Sequence, residues 1–457
     1  MAIKNNRSKV ILMMATLLLG SFITTLAETL MNNGLPMIME ETHVSQMSAQ
    51  WLNTGYMLVA GMIMPLAAFF MHRFPLKRLF TMTMGIFLIG TLISTFAPNF
   101  TFLLIGRLVQ AIAVGINMPL VTNVLTIVVP AKNRGLAIGI AGIIINLEPA
   151  IGPTLSGVIL EFYDWRMLFI VLLPFTILTL ICTQFFVENV LEPKKISADF
   201  PSVLYAIIGL GSLLYSLGRL GESESNGIYT ALFALVGIAF IMIFIKRQFK
   251  IEKPLLDLHV FSYKQYRLGI LITLLVSGAI MAPELMLPLF NQNILKVSPI
   301  ISGEVMIPSA LAMAFLSPFA GRLYDKMGIK KMAMIGALLG LITAVPMFFY
   351  NAQTSLEWLT LLYALRCAGL ILCYPPAQVY ALNALPQESV VFGNTIIVMM
   401  VQVANSFCTA LAVTTKNLVQ DQTGSVISGY QWSFGTTILV TLLATLLIFG
   451  IKKQKIN

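Results

Sequence analysis

Five charged residues stand inside long apolar runs: Glu28, Arg107, Glu148, Glu284 and Arg366. A charge at the centre of a membrane-spanning helix costs about 2.5–3.5 kcal/mol on insertion scales. Charges that persist there face a protein interior or a water-filled cavity, and they mark ion or substrate paths. The chemistry open to such groups is reversible protonation. Burial raises a carboxylate's pKa and a neighbouring guanidinium lowers it. A Glu that alternates between those surroundings binds a proton in one state and releases it in the other. A cationic or hydrogen-bonding solute can displace that proton, which couples the two movements. One proton moved down about 100 mV supplies roughly 2.3 kcal/mol, and tenfold concentration costs about 1.4 kcal/mol. Full coupling to one proton therefore sustains a gradient of roughly fifty-fold.

Glu148 is the most informative of the five. It stands mid-span before Pro149, and Gly152, Pro153 and Ser156 follow. Gly152 and Ser156 form a small-xxx-small pair that allows close helix approach, and the prolines loosen the local hydrogen-bond ladder. The acid binds a proton or substrate, or else it is a structural partner for a polar neighbour such as Asn146. Glu28 invites the same two readings; Asn32 shares its helical face and Asn33 follows. Arg107 either organises a proton-binding network or bonds helix to helix. Glu284, between Pro283 and Pro288, is open to both roles, and Arg366 reads as structural. Glu304 lies near the end of its span and reaches water.

Long helices must position these groups. Of the 457 residues 58% are hydrophobic and 11% charged, against about 25% charged in soluble domains. Apolar runs near the ~20 residues that a helix needs to span hydrocarbon recur throughout. They do not alternate in polarity, which excludes a barrel and leaves a helical bundle. Spans fall at 10–31, 50–71, 79–97, 102–125, 134–160, 166–187 and 200–220, then at 228–246, 267–290, 302–323, 332–350, 357–380, 393–415 and 433–451. The fold expected is all-α, with about fourteen transmembrane helices arranged as six, two and six. The divisions are 1–190, a six-helix lobe; 191–260, a linker with two further spans; and 261–457, a second six-helix lobe.

The net charge is +10, but its distribution argues against nucleic acid. Of the 29 Lys and Arg, Arg166, Arg219, Lys296 and Lys416 fall on one side of the membrane, Arg107 and Arg366 lie within spans, and the rest share the other side. Basic loops face the cytoplasm, so both termini are expected there. The start, Lys4, Arg7 and Lys9 before an apolar run to Ala27, imitates a signal peptide. Its acid and Asn-rich continuation read instead as a retained first helix. Cys182, Cys367, Cys373 and Cys408 lie in apolar stretches without metal or disulfide spacing. His43, His72 and His259 are far apart in loops, so no metal or nucleophile constellation is expected, and no cofactor. No phosphate-cradling glycine loop ending in Lys-Ser or Lys-Thr appears, which removes support for ATP-driven pumping. The 26 Met residues suit either adaptable binding surfaces or ordinary packing.

The halves repeat. Residues 67–78, from Ala67 to Arg78 with Arg73 between, line up with 320–331, which hold Gly321, Arg322, Asp325 and Gly328. Leu103-Leu104 before Arg107 has a looser echo in Leu361-Leu362 before Arg366. Parallel halves of this kind are a transporter architecture with the substrate site between them near the midplane.

Several motifs in order resemble the major facilitator superfamily, in particular its fourteen-span drug:proton antiporters, over nearly the whole chain. Gly321-Arg322-Leu323-Tyr324-Asp325-Lys326-Met327-Gly328 resembles the superfamily's loop signature, and Arg107 to Gln110 with Gly115 and Pro119 its fourth-helix motif. Pro149 to Gly157 is similar to the fifth-helix motif of exporters, with Pro149, Gly152, Pro153 and Gly157 as bending positions. Leu26 to Pro36 and Pro254-Leu255-Leu256-Asp257-Leu258 resemble marks of the fourteen-span branch. The first-half loop departs from the pattern, with His72 where Asp is usual and Pro75 where Gly is. Ala27 takes the usual acid position, with Glu28 next, and Glu148 replaces a Gly. The sub-branch similar to lincomycin-resistance exporters tolerates loss of the loop Asp. The resemblance implies a monomeric, proton-coupled exporter of small drug-like compounds in a bacterial plasma membrane. A narrow metabolite exporter or importer of the same fold is the alternative. A non-transporting sensor or a membrane enzyme fits least, since no clustered catalytic set is visible.

Overall fold

The structure is a computed structural model that describes residues 7–44, 46–129, 138–139, 142, 151–152, 154–190, 199–219, 227–251, 254–327 and 329–451. Asn146, Glu148, Pro149, Pro153 and Gly328 lie outside the described residues, as does most of the expected fifth span. The described residues contain helices and no strand. Thirteen of the helices are long and apolar enough to cross a membrane. The first is Ser8–Leu30, the second Trp51–Arg73, the third Leu76–Thr95, the fourth Phe100–Val128 and the sixth Met167–Phe186. The seventh and eighth are Phe200–Arg219 and Gly227–Gln248, the ninth Lys264–Asn293 and the tenth Ile300–Leu323. The eleventh is Ile329–Met347, the twelfth Leu356–Leu382, the thirteenth Val390–Thr423 and the fourteenth Val426–Phe449.

Local chemistry sets their ends. Asn99 and Ser425 accept hydrogen bonds from the backbone N–H of Phe102 and Ser428 at 3.1 and 3.2 Å, capping the fourth and fourteenth spans. Gly424 ends the thirteenth in the left-handed region at φ 66°. The repeated basic segments are shorter loops than the sequence suggests. The second span runs through His72 and Arg73, and the third starts at Leu76 after Pro75. In the second half the helix continues through Asp325 to Met327.

Polar residues on packed faces satisfy themselves locally. Buried Thr83, Thr91 and Thr95 in the third span, and Thr441 and Thr445 in the fourteenth, each donate to the carbonyl four residues back. Close glycine crossings repeat between the halves. A Cβ added to Gly106 would lie 2.9 Å from Gly90 O, where the third and fourth spans cross. A Cβ on Gly369 would lie 2.7 Å from Gly336 O, where the eleventh and twelfth cross. Only a hydrogen at each position lets these backbones meet.

The seventh span lies against the second, where Trp51 stacks on Tyr215 at 5.8 Å. At the end of the bundle that carries the basic segments, Arg247 donates to both carboxylate oxygens of Asp199 at 2.6 and 2.7 Å. That guanidinium, with help from Ser202, holds the Asp199 carboxyl down at about 2. Gln248 Oε1 accepts from the N–H groups of Leu255 and Leu256 at 2.7 and 3.2 Å. Asp257 accepts from Ser389 Oγ at 3.4 Å, just before the thirteenth span. The Pro254–Leu258 motif thus straps the hairpin of spans seven and eight to the second half. At the opposite end Arg166 and Trp165 both bond Glu41, at 2.8 and 2.6 Å. Burial pushes the Glu41 carboxyl up, but these donors outweigh it and leave it below its ordinary value.

The glycine crossings make a direct expectation. Gly369→Ala is expected to lower the thermal unfolding midpoint of the detergent-purified protein by the equivalent of about 1–3 kcal/mol. Gly85→Ala, whose added Cβ meets nothing within 4 Å, is expected to leave it unchanged or higher.

Candidate functional site

The first-half site is built on the end of the first span. The helix Arg7–Leu30 passes into a 3₁₀ turn, Met31–Gly34. Arg107, fully buried on the fourth span, donates from Nη1 to a carbonyl just before that change, Ala27 O, at 2.9 Å. The same nitrogen donates to Gln110 Oε1 at 3.1 Å, and Gln110 Nε2 donates onward to Thr91 Oγ1 at 2.8 Å. Arg107 Nε reaches Leu52 O at 3.4 Å, and its Cζ lies 4.0 Å from the Tyr56 ring centroid, a cation–π distance. Tyr56 Oη in turn donates to Thr24 O at 3.0 Å, and Asn117 Nδ2 to Thr24 Oγ1 at 3.2 Å. Spans one, two, three and four are therefore knotted around residues 24–28. Glu28 follows the held carbonyl directly, is half-buried, and lies within electrostatic reach of Arg107.

The small-xxx-small pair of the fifth span meets the same segment. A Cβ on Gly152 would lie 2.0 Å from Thr29 Oγ1. One turn on, Asn33 Nδ2 donates to Ser156 Oγ at 2.9 Å, and Gly157 lies beside the same amide. Two motifs recognised separately in sequence are thus one four-residue-spaced contact, adjacent to Glu28. Of Asn32 only the backbone is described.

The second half repeats the arrangement with different residues. Arg366, fully buried on the twelfth span, donates from Nη2 to Ala279 O at 3.0 Å and to Thr441 Oγ1 at 3.2 Å. Its Nη1 donates to Gly340 O at 3.1 Å. Glu284 is half-buried on the ninth span. Among the described residues no hydrogen bond or ion pair joins Glu284 to Glu28; the two belong to separate halves of the bundle. Arg73 and Arg322 are exposed at the basic end and Gly321 is buried, while only the backbone of Asp325 is described.

Sequence reasoning missed a polar contact that joins the halves. At the basic end Asn394 Nδ2, on the thirteenth span, donates to Asn123 Oδ1 and Thr122 Oγ1 of the fourth, each at 2.9 Å. Asn123 Nδ2 returns a bond to Thr395 Oγ1 at 3.0 Å. Gln378 Nε2 of the twelfth span donates to Asn394 Oδ1 at 3.3 Å. Asn123, Asn394, Thr395 and Gln378 are all buried. Beside them His72 stacks on Phe392, with ring centroids 4.8 Å apart and planes 13° apart. The replacement of the usual loop Asp by His72 has a structural counterpart here, a ring contact between halves. The signal available in sequence was an amide in each of two apolar runs.

Because Asn394 donates directly to Asn123, their losses are not additive. A double-mutant cycle of Asn123→Ala and Asn394→Ala, read by thermal unfolding in detergent, is expected to give a coupling of about 0.6–1.7 kcal/mol.

The family model of the Major Facilitator Superfamily matches residues 17–409. The chain is 34% identical over 456 residues to the uncharacterized MFS-type transporter YcnB of Bacillus subtilis, covering 98% of this chain and 96% of that protein. It is 31% identical over 467 residues to the lincomycin resistance protein LmrB of the same organism, covering 98% and 97%. Similarity extends to the riboflavin transporter RibZ of Clostridioides difficile, at 27% identity over 82% of each chain. Among solved structures, the human organic anion transporter MFSD10 superposes with a TM-score of 0.68 at 16% identity, covering 96% of this chain and 99% of that one.

Proposed function

The chain belongs to the major facilitator superfamily, and from that premise we propose that it is a proton-coupled exporter of small amphipathic compounds. It is a multi-pass membrane transporter, not an enzyme. The observation that carries the proposal is the setting of Glu28: a half-buried carboxylate one residue beyond the carbonyl held by Arg107. In the proposed cycle Glu28 and Glu148 exchange protons and substrate in a cavity between two lobes, 1–190 and 261–457. The hairpin within 191–260 stands to the side. Asn32 and Asn146 add polar contacts. The basic end is read as cytoplasmic, with both termini there in a bacterial plasma membrane. The amide clasp then closes the inner side, beside the motif residues Arg73, Gly321, Arg322, Asp325 and Gly328. A monomer holds the whole site.

The similarity to LmrB supports a drug-like substrate, and the similarity to RibZ supports a second reading, a narrow transporter of one metabolite. Energised dye efflux from a pump-deficient host, with and without a protonophore, tests export and coupling together. A substrate panel in the same host separates the two substrate readings.

Glu148→Gln keeps shape and most hydrogen bonding but cannot titrate. It is expected to abolish or strongly reduce proton-coupled efflux in protein that still inserts; efflux at wild-type rate and pH dependence would return Glu148 to a structural role. Glu28→Gln is expected to weaken resistance to a permanent cation more than to a neutral drug, because Coulomb attraction in a poorly screened cavity acts only on the former. Equal loss for both would assign Glu28 to proton coupling alone, and unchanged resistance to both would remove it from the site.

A further inference from the structure

An α-helical carbonyl receives the N–H of the residue four positions on. Four positions after Ala279 stands Pro283, which has no N–H to give. The carbonyl freed in this way, in the middle of the ninth span, is the one that Arg366 Nη2 takes at 3.0 Å. Arg366 makes no ion pair among the described residues, its remaining bonds are to Gly340 O and Thr441 Oγ1, and its Nε has no hydrogen-bond partner. A fully buried guanidinium is thus committed to neutral acceptors, the central one of them a proline break. The residue after that proline is Glu284. Ala282, Pro283, Met286 and Leu287 around it are buried, whereas Glu284 itself is half-buried. On the twelfth span Tyr363 and Cys367 flank Arg366 and lie within electrostatic reach of both Arg366 and Glu284. The other titratable or charged groups on helices against the ninth span are His259, Glu304, Glu357, Tyr374, Tyr380, Cys408, Lys416, Asp421 and Tyr430.

We propose that Arg366 is a positioning residue: by holding the proline-freed carbonyl of Ala279 it fixes the bend that presents Glu284, which makes Glu284 the second-half counterpart of Glu28. The proposal rests on the transport reading for its functional part and on geometry alone for its positional part. The alternative is that Arg366 merely glues spans nine, eleven, twelve and fourteen together.

The test exploits the missing N–H. Arg366→Met removes the donor and is expected to lower the unfolding midpoint by several degrees. Adding Pro283→Ala supplies an N–H to the same carbonyl, so the double variant is expected to regain most of that loss. A double variant no more stable than Arg366→Met overturns the link between Arg366 and the break. Positioning is read separately by introducing Glu284→Cys in a background without other cysteines and measuring its maleimide labelling. The rate is expected to fall several-fold when Arg366→Met and Pro283→Ala straighten the span; an unchanged rate overturns positioning whether or not transport is coupled to protons. In efflux assays that retain Glu284, the stable double variant is expected to move the pH midpoint by about one unit, and Arg366→Lys, which keeps a cationic donor nitrogen, to restore it. A wild-type pH profile in the double variant reduces Arg366 to glue. Efflux by the wild type that ignores a protonophore sinks the proton-coupled reading instead and leaves the labelling result to decide the position of Glu284.

Discussion

Inside hydrocarbon a backbone carbonyl without a donor has no water to turn to, and each such orphan costs several kcal/mol. The bundle has one such place, and its other half answers it at a change of winding. In the second half Pro283 leaves the carbonyl of Ala279 without its helical donor; in the first, the carbonyl engaged is that of Ala27, just before α winding gives way to 3₁₀. Each is met by an arginine from the fourth span of its own half. The choice of arginine follows from reach and donor number: one guanidinium can serve a carbonyl and two further acceptors at once. A lysine would offer a point charge without that fork. The irregular backbone is therefore bought with a buried charge, and in both halves a glutamate lies close beyond the repair.

This constraint explains why the halves agree in places where their sequences barely do. Arg107 and Arg366 share a span position and a partner type, although their surroundings differ: Gln110 and Tyr56 around the first, Thr441 and Gly340 around the second. The glycine crossings repeat in the same way, Gly90 with Gly106 and Gly336 with Gly369. Close backbone approach between the third and fourth helices of each half leaves no room for side chains to slide. Each half gains stiffness there, and among the described residues the thirteenth span packs on the second and fourth spans of the other half.

Much of this architecture was legible in the sequence. Apolar run length located thirteen helices, because hydrocarbon thickness fixes how long a span must be. The basic segments gave the repeat, and Gly152 with Ser156 announced a close contact that the first span fills. The partners were not legible. Nothing in the run around Asn123 distinguishes an amide facing Asn394 from one facing its own helix, since periodicity reports a buried face and not its neighbour. The partner of Arg366 was hidden for a related reason. Its acceptor is a carbonyl, which every residue has, and only the missing N–H of Pro283 singles one out. The motif Pro254–Leu258 could be matched to a family pattern, but its work as a strap through Gln248 and Asp257 depends on side chains far along the chain.

The chemistry of the clasp suits a contact that must open. The three hydrogen bonds that Asn123 and Asn394 make across the halves join neutral groups. At about 0.6 kcal/mol each for bonds between membrane helices, they sum to about 2 kcal/mol. A buried ion pair at the same place would instead cost the desolvation of two charges each time the contact closed, offset by their attraction. One proton falling through about 100 mV releases roughly 2.3 kcal/mol. On the proposed cycle, then, an amide clasp lies within what a single proton can tip. The loss of the usual loop acid at His72 points the same way. Where the closing contacts are uncharged, rings and amides that part without stranding an ion, the acid can be dispensed with and the two ends of the cycle stay close in free energy.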